Sequence, residues 1–504
     1  MQQNNTPPSG TPPSGTPPSG TPPDGTPSGS SGAPGGQNSS SVTHTGATEL
    51  TESTTLSNQS YSSTNSAENA LLVKNATVTL ENPTITKSGD DSGDNSDFYG
   101  TNAAVFAYDN ATLNITDGEI TTNGSHANAV FAYDSGTINI ENTKITTSSN
   151  NSGGIMVTGG GTLNATNLTV ETSGNSSAPI RSDRGGGTIT VEGGSYTSNG
   201  IGSPVIYSTA DITVRNATLT ATASEGVVIE GLNSVKLENT TITDTNNQLN
   251  GNSETYKNIF IYQSMSGDAE TGTGTFTAKN STFITNQGDH FFITNTTAVI
   301  NLEGNKFTNN DSTGTFLRAQ SGKWGTSGSN GGKVTLNATS QEILGDIIID
   351  SVSSLDLNLT NSYVKSTLTN EGTINITLDN TSIVVLTGDS YITSLNNAVT
   401  DNSNIYANGY KLYVNGTEVS INQATAPESF LSDETETVII EETETIANTN
   451  SGINVPFLIS CIIGGILVIA IIVAVIIKLR QRKTPPTQPP VSTPPEIEPP
   501  IQTY

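Results

Sequence analysis

The sequence predicts an all-β fold, a right-handed parallel β-helix solenoid of about 13 turns. Three observations lead there. The hexapeptide Ala104-Val105-Phe106-Ala107-Tyr108-Asp109 recurs letter for letter at Ala129-Val130-Phe131-Ala132-Tyr133-Asp134. The step of about 25 residues then continues through Gly154-Ile155-Met156-Val157, Pro179-Ile180-Arg181-Ser182 and Pro204-Val205-Ile206-Tyr207. Inside each step, three short runs alternate apolar and polar residues, as in Leu113-Asn114-Ile115-Thr116, and pairs such as Asp117-Gly118 and Asn123-Gly124 punctuate them. Alternation of period two is strand geometry, and Asn-Gly or Asp-Gly pairs favour turns. A stack of such turns at roughly 4.8 Å gives a rod roughly 60 Å long, with backbone hydrogen bonds along its axis. An antiparallel sandwich has no reason to hold the period.

Residues 1–41 repeat Thr-Pro-Pro-Ser-Gly. Proline and glycine at that density build no core, so the segment reads as a disordered or polyproline-like stalk. Met1-Gln2-Gln3-Asn4 carries neither the charged nor the apolar region of a signal peptide, and a leader upstream of it is expected. The parallel β-helix is assigned to residues 42–421, with a weakly patterned first turn and cap over 42–68. Insertions at 88–99 and 245–257 lengthen two turns, and a third long loop, 321–332, carries the only tryptophan, Trp324. Residues 405–421, with Tyr406, Tyr410 and Tyr413, are expected to close the far end, since an open end exposes a strand edge. Residues 422–452 read as an acidic, Thr-rich spacer.

Residues 453–477 read as a transmembrane helix, with no charge from Val455 to Ile477 and with Lys478, Arg480, Arg482 and Lys483 directly after it. The basic flank places residues 478–504 in the cytoplasm and the repeats outside, the topology of a single-pass type I plasma-membrane protein. That tail is Pro-rich, and Pro486-Thr487-Gln488-Pro489 has the spacing read by polyproline-binding domains, a spacing that an inert tail also satisfies.

Charged residues make up only 13 % of the chain and the net charge is −27, which argues against nucleic acid as a partner. The single cysteine, Cys461, excludes an intrachain disulfide. No HExxH pair, GxSxG elbow or Cys/His zinc spacing occurs. Asn-x-Ser/Thr sequons abound, among them Asn75, Asn110, Asn164 and Asn216; a eukaryotic secretory route would make this a glycoprotein.

Three constellations stand out. If Val105 and Ala107 point inward, then Phe106, Phe131, Met156, Arg181 and Ile206, with Val228 and Phe260, form an outward and mostly apolar stripe. Such a stripe means either a partner or a covering loop from an insertion; with Trp324 it supplies the candidate binding residues. Asp90, Asp91, Asp94 and Asp97 offer oxygen ligands on a loop, so Ca²⁺ is the one cofactor considered, against a merely solvated acidic loop. Asp183 and Arg184, with Asp134 two turns away, are the candidate catalytic residues for an acid/base reaction on a polysaccharide, set against a plain Asp–Arg surface pair.

The turns with Asn-Ala-Val-Phe, Ser-Gly-Gly-Ile-Met and Ser-Asp-Arg-Gly-Gly-Gly resemble pectate-lyase-like, right-handed β-helix adhesin-like surface proteins. The resemblance implies a membrane-anchored cell-surface protein whose ectodomain serves adhesion or recognition of a glycan or host surface. It leaves two alternatives open: a polysaccharide lyase or hydrolase on the same fold, and a passive surface coat.

Overall fold

The computed structural model describes residues 42–249, 255–264 and 266–429. The Thr-Pro-Pro-Ser-Gly stalk, the apolar run 453–477 and the Pro-rich tail lie outside them. Among the described residues no helix is long and apolar enough to cross a membrane.

The chain winds as a parallel β-helix. Three long sheets run its length, with 13, 14 and 10 strands, and each strand pairs in parallel with the strand one turn away. A four-stranded sheet takes over from the third sheet, and a three-stranded sheet lies at the end. Residues 42–68 supply the first turn with strands Gly46–Leu50, Thr54–Ser57 and Ser60–Ser63.

The repeat dictates the register. Val105 pairs with Val130, Val130 with Ile155, and Ile155 with Ile180, so like side chains stack on like. Leu113, Ile138, Leu163 and Ile189 form the same kind of stack in the second sheet, and Ile85, Ile120, Ile145 and Val170 in the third. These columns meet in one continuous core. A lone turn exposes its apolar face on both sides, which is why stability grows with stacking. Toward the C-terminus the core becomes aromatic: Phe276, Phe283, Phe291, Phe307 and Phe316 pack edge-to-face or stacked around His290.

The tight corner between the second and third sheets explains the abundance of asparagine. Asn58, Asn82, Asn142, Asn167, Asn216 and Asn239 occupy it in different turns, all at φ between 49° and 56°. Asparagine tolerates this left-handed region better than other residues with a Cβ. From there each backbone N–H donates to the next turn, as that of Asn142 does to the Thr166 carbonyl at 3.0 Å and that of Asn167 to the Glu192 carbonyl at 2.9 Å.

A second corner breaks the period. Asp183-Arg184-Gly185-Gly186-Gly187 holds one residue more than the equivalent corner of the preceding turn, with Gly185, Gly186 and Gly187 at φ 82°, 60° and 146°. The positions from this corner to the next strand of the first sheet shift by one. Ile180 therefore pairs with Ile206, and Arg181 with Tyr207. Ile206, expected in the outward stripe, points into the core, because a slip of one residue exchanges the two faces of a strand.

The C-terminal end closes with Leu412–Val414 and Thr417–Glu418, the antiparallel pair that terminates the ladder. Tyr413 stacks on Tyr391 at 4.9 Å, whereas Tyr410 is exposed. Residues 422–429, read from sequence as the start of the spacer, belong to this end: Asn422 bridges to Tyr406, and the Tyr363 hydroxyl donates to the Pro427 carbonyl at 3.2 Å.

Candidate functional site

The outer face of the first sheet gathers nearly all the candidate residues. It divides along the axis into an apolar plate, a charged band and a second apolar plate.

The first plate comprises Leu72, Phe106, Phe131 and Met156, which face away from the main core. All four are at most 1 % exposed. The insertion 88–99 covers them. Its helix α1 (Asp94–Tyr99) begins after Gly93 and ends at Gly100, which adopts φ 70°. A Cβ at Gly100 would lie 2.6 Å from the Phe106 ring and 3.0 Å from that of Phe131, so the chain turns directly on the plate. The Phe98 carbonyl accepts the Thr158 hydroxyl at 2.7 Å, and Tyr99 packs edge-on against Tyr133. His44 stacks on Phe106 at 4.5 Å; burial, aided by Lys74, lowers its pKa to about 4. Of the two readings of the stripe, the covering loop holds for these residues.

In the charged band, Arg181 donates to Asp183 at 3.1 Å; their side chains are 12 % and 6 % exposed. Burial raises the Asp183 carboxyl to about 6, with Arg181 opposing and Asp268 adding to the shift. Arg184 is half exposed and joins the two covering segments. It donates to Asp268 at 2.6 Å, faces Asp94 of α1 at 3.7 Å and lies 3.7 Å above the Phe98 ring. One turn on, Tyr207 and Tyr262 both donate to Glu230, at 2.7 and 2.9 Å, and Ser264 donates to its other oxygen. Burial holds both phenols well above their ordinary range.

The structure thus brings Arg181, Asp183 and Arg184 together but leaves Asp134 apart. Asp134 is exposed at a turn, where its carboxylate accepts the Ser135 hydroxyl at 3.3 Å. Sequence reasoning missed Glu230, Tyr207, Tyr262 and Asp268. The register slip hid Tyr207, and nothing periodic marks the loop that carries Asp268.

The second plate consists of Val228, Phe260, Tyr262 and Phe292, with Tyr207 and Trp324 against it. Trp324 is half-buried, 4.9 Å from Tyr262 and 5.8 Å from Phe260. The cover here is the 321–332 loop together with the buried Lys257, whose ammonium lies 4.5 Å from the Phe260 ring.

The four loop aspartates do not converge. Asp90 accepts the Ser125 amide at 2.8 Å, and Asp91 accepts the Ser66 and Ser96 hydroxyls. Asp94 faces Arg184, and Asp97 pairs with His126 at 2.8 Å. Among the described residues, no three acidic, histidine or cysteine side chains are placed to share a metal ion.

The two remaining sheets present a different surface. On the second, Asn114, Asn139, Asn164 and Thr190 form one outward column, with Asn139 and Asn164 each donating to the preceding asparagine at 2.8 and 2.9 Å. On the third, Ser195 and Thr197, Thr218 and Thr220, and Thr241 and Thr243 lie side by side in successive turns, all partly or fully exposed. Hydroxyls there repeat at about 4.8 Å along the axis and about 6.6 Å along each strand. No family model matches the chain, and no curated protein or solved structure matches it either.

Proposed function

We propose that the protein is a membrane-anchored surface rod for adhesion or recognition, and that it engages an extended, polyhydroxylated partner such as a glycan chain. The carrying observation is the lattice of threonine, serine and asparagine side chains on the outer second and third sheets. Each hydroxyl or amide both donates and accepts, as a sugar hydroxyl does. Single contacts of this kind are weak in water, but a rigid row engages many at once, and avidity multiplies them. The apolar run 455–477 with its basic flank supports anchoring with the repeats outside and the tail, with its PxxP spacing, in the cytoplasm.

The lattice replaces the Phe106–Phe131–Met156 stripe as the contact surface, since those side chains are covered. An enzymatic reading receives less support. Arg181 already engages Asp183, and Tyr207, Tyr262 and Ser264 already engage Glu230, so neither acid stands free beside an open groove.

The test is polysaccharide retention and a glycan array with the full chain, beside the triple variant Thr197→Glu, Thr220→Glu, Thr243→Glu. Retention lost on placing this charge row supports the reading. Retention unaffected by the row but abolished by Trp324→Ala moves the site to the second plate. Release of reducing or unsaturated sugar ends, abolished by Asp183→Asn, replaces the reading with an enzyme.

A further inference from the structure

Where the third sheet hands the chain back to the first, the last inward side chains of successive strands form a mostly buried polar column. Lys87, Thr147, Ser198, Asp244 and Asn309 belong to it. The others clasp main-chain carbonyls by donating to them: Thr147 to Ser152 at 2.6 Å, Ser198 to Ser203 at 2.5 Å, Asn309 to Gly288 at 2.9 Å and Lys87 to Gly89 at 3.2 Å. Asp244 is the one carboxyl in the column, and an ionised carboxylate can only accept.

Asp244 is fully buried, and among the described residues neither of its oxygens has a hydrogen-bond partner. Asn258 Oδ1 is buried in the same condition. The two flank one hydroxyl. Thr285 pairs in register with Asp244, and its hydroxyl accepts from Asn258 Nδ2 at 2.9 Å. Asn258 Oδ1 lies beside Gly226, where a Cβ would stand 2.2 Å from it and 2.9 Å from Ile242, on the same strand as Asp244. The Thr285 hydroxyl also meets Nδ1 of His290 at 3.0 Å, and burial lowers His290 to about 3, leaving a neutral ring. Orphaned acceptors from two neighbouring turns thus crowd together without a donor.

The charges around Asp244 do not supply one. The preceding rung contributes only Ala221. Glu225, which opens the same turn, already engages Lys257 at 3.3 Å and the Ser224 hydroxyl at 2.6 Å. Burial holds the Asp244 carboxyl well above its ordinary range, with Thr285 opposing and Glu225 adding to the shift.

We propose that Asp244 is a protonated carboxylic acid in the folded rod and donates to Asn258 Oδ1, forming a pH-sensitive clasp between two turns. One proton supplies the missing donor and removes a second negative charge beside Glu225. The clasp sits where the 245–257 insertion leaves the rod and rejoins it, next to the bond from Asn246 Nδ2 to the Lys257 carbonyl at 3.0 Å. Because the folded carboxyl titrates above its unfolded value of 3.8, the stability it adds is complete below pH 3.8 and is lost as pH rises through the folded value. The turn is therefore tightest in acid.

The test is infrared difference spectroscopy of the full chain against Asp244→Asn at pH 8, where Asp183, at about 6, is ionised. A carbonyl band of a protonated carboxylic acid is expected in the parent and not in the variant, and its absence from the parent overturns the proposal. Urea denaturation gives the second reading. The unfolding constant of the parent relative to Asp244→Asn is expected to rise about tenfold per pH unit above pH 3.8 until the folded carboxyl titrates. A ratio constant from pH 5 to 8 overturns the proposal. Asp244→Thr places a donor like Thr147 in the column, so it serves both readings if the asparagine variant does not fold.

Discussion

The two apolar plates on the first sheet are built alike but finished differently. Both stack side chains that face away from the core, one per turn in the first and, with Phe260 and Tyr262 on one strand, two in one turn of the second. The first lies beneath α1 and a dedicated insertion and is sealed at 0–1 % exposure. Among the described residues no helix lies over the second; Trp324 leans on it from a side loop, and its members keep 4–9 % exposure. Between them Arg184 ties α1, through Asp94, to the loop that carries Asp268. An outward apolar column in a solenoid therefore does not by itself make a binding face. What matters is whether a neighbouring insertion is long enough to reach it.

The comparison is broken most directly by truncating one ring in each plate. Phe131→Ala should cost about 3–5 kcal/mol, since it empties a fully buried site, and Phe292→Ala about 2–3 kcal/mol, where the cover can settle. Urea denaturation measures both, and equal losses would mean that the plates are sealed alike.

Acid tests two histidines, one against the first plate and one in the main core. His44, against the first plate, is lowered to about 4, and His290, in the aromatic core, to about 3, both by burial first. Both folded values lie below the unfolded 6.5, so between them the unfolded chain binds a proton that the folded chain refuses. Stability falls as pH drops through 6.5, ending near pH 4 for His44 and near pH 3 for His290. The His290 contribution is on the order of 5 kcal/mol. Asp183 opposes this, because its raised value adds stability as pH falls from about 6 toward 3.8. His290→Leu should flatten the acid limb of the urea midpoint, and Asp183→Asn should steepen it between pH 6 and 4.

Smaller effects sharpen the contrast. Gly100→Ala places a Cβ against Phe106 at a positive φ, and should cost about 2 kcal/mol while raising amide exchange in α1 alone. Trp324→Ala should cost only about 1 kcal/mol, because the ring is half exposed. Trp324 emission should shift to the red in Phe260→Ser and stay unchanged in Phe131→Ser.

The stacking columns were legible because the copies at Val105 and Val130 make inward and outward positions unambiguous. The phase was legible only as far as Gly185. A run of three glycines conceals an added residue, since any length of such a corner fits a turn, and Ile206 was consequently placed on the wrong face. The ladder of left-handed asparagines was visible as composition but not as geometry, because Asn serves turns of many kinds. Glu230 and Asp268 went unseen for another reason. Partners from distant turns and an irregular loop leave no short-range pattern, and their meeting depends on the register itself.

The left-handed corner at Asn142 or Asn167 also bears on how such a rod changes length. Each turn brings its own corner and its own inward residues, and the turns through 195–198, 218–221 and 241–244 each bring an outward pair of hydroxyls. Duplicating a whole turn therefore lengthens the molecule by one fixed increment of about 4.8 Å and adds one more row to the lattice. Gaining or losing a single residue inverts a strand unless a permissive corner such as 183–187 absorbs it. The molecule behaves as a ruler graduated in whole turns, in which reach and the number of contact rows grow together.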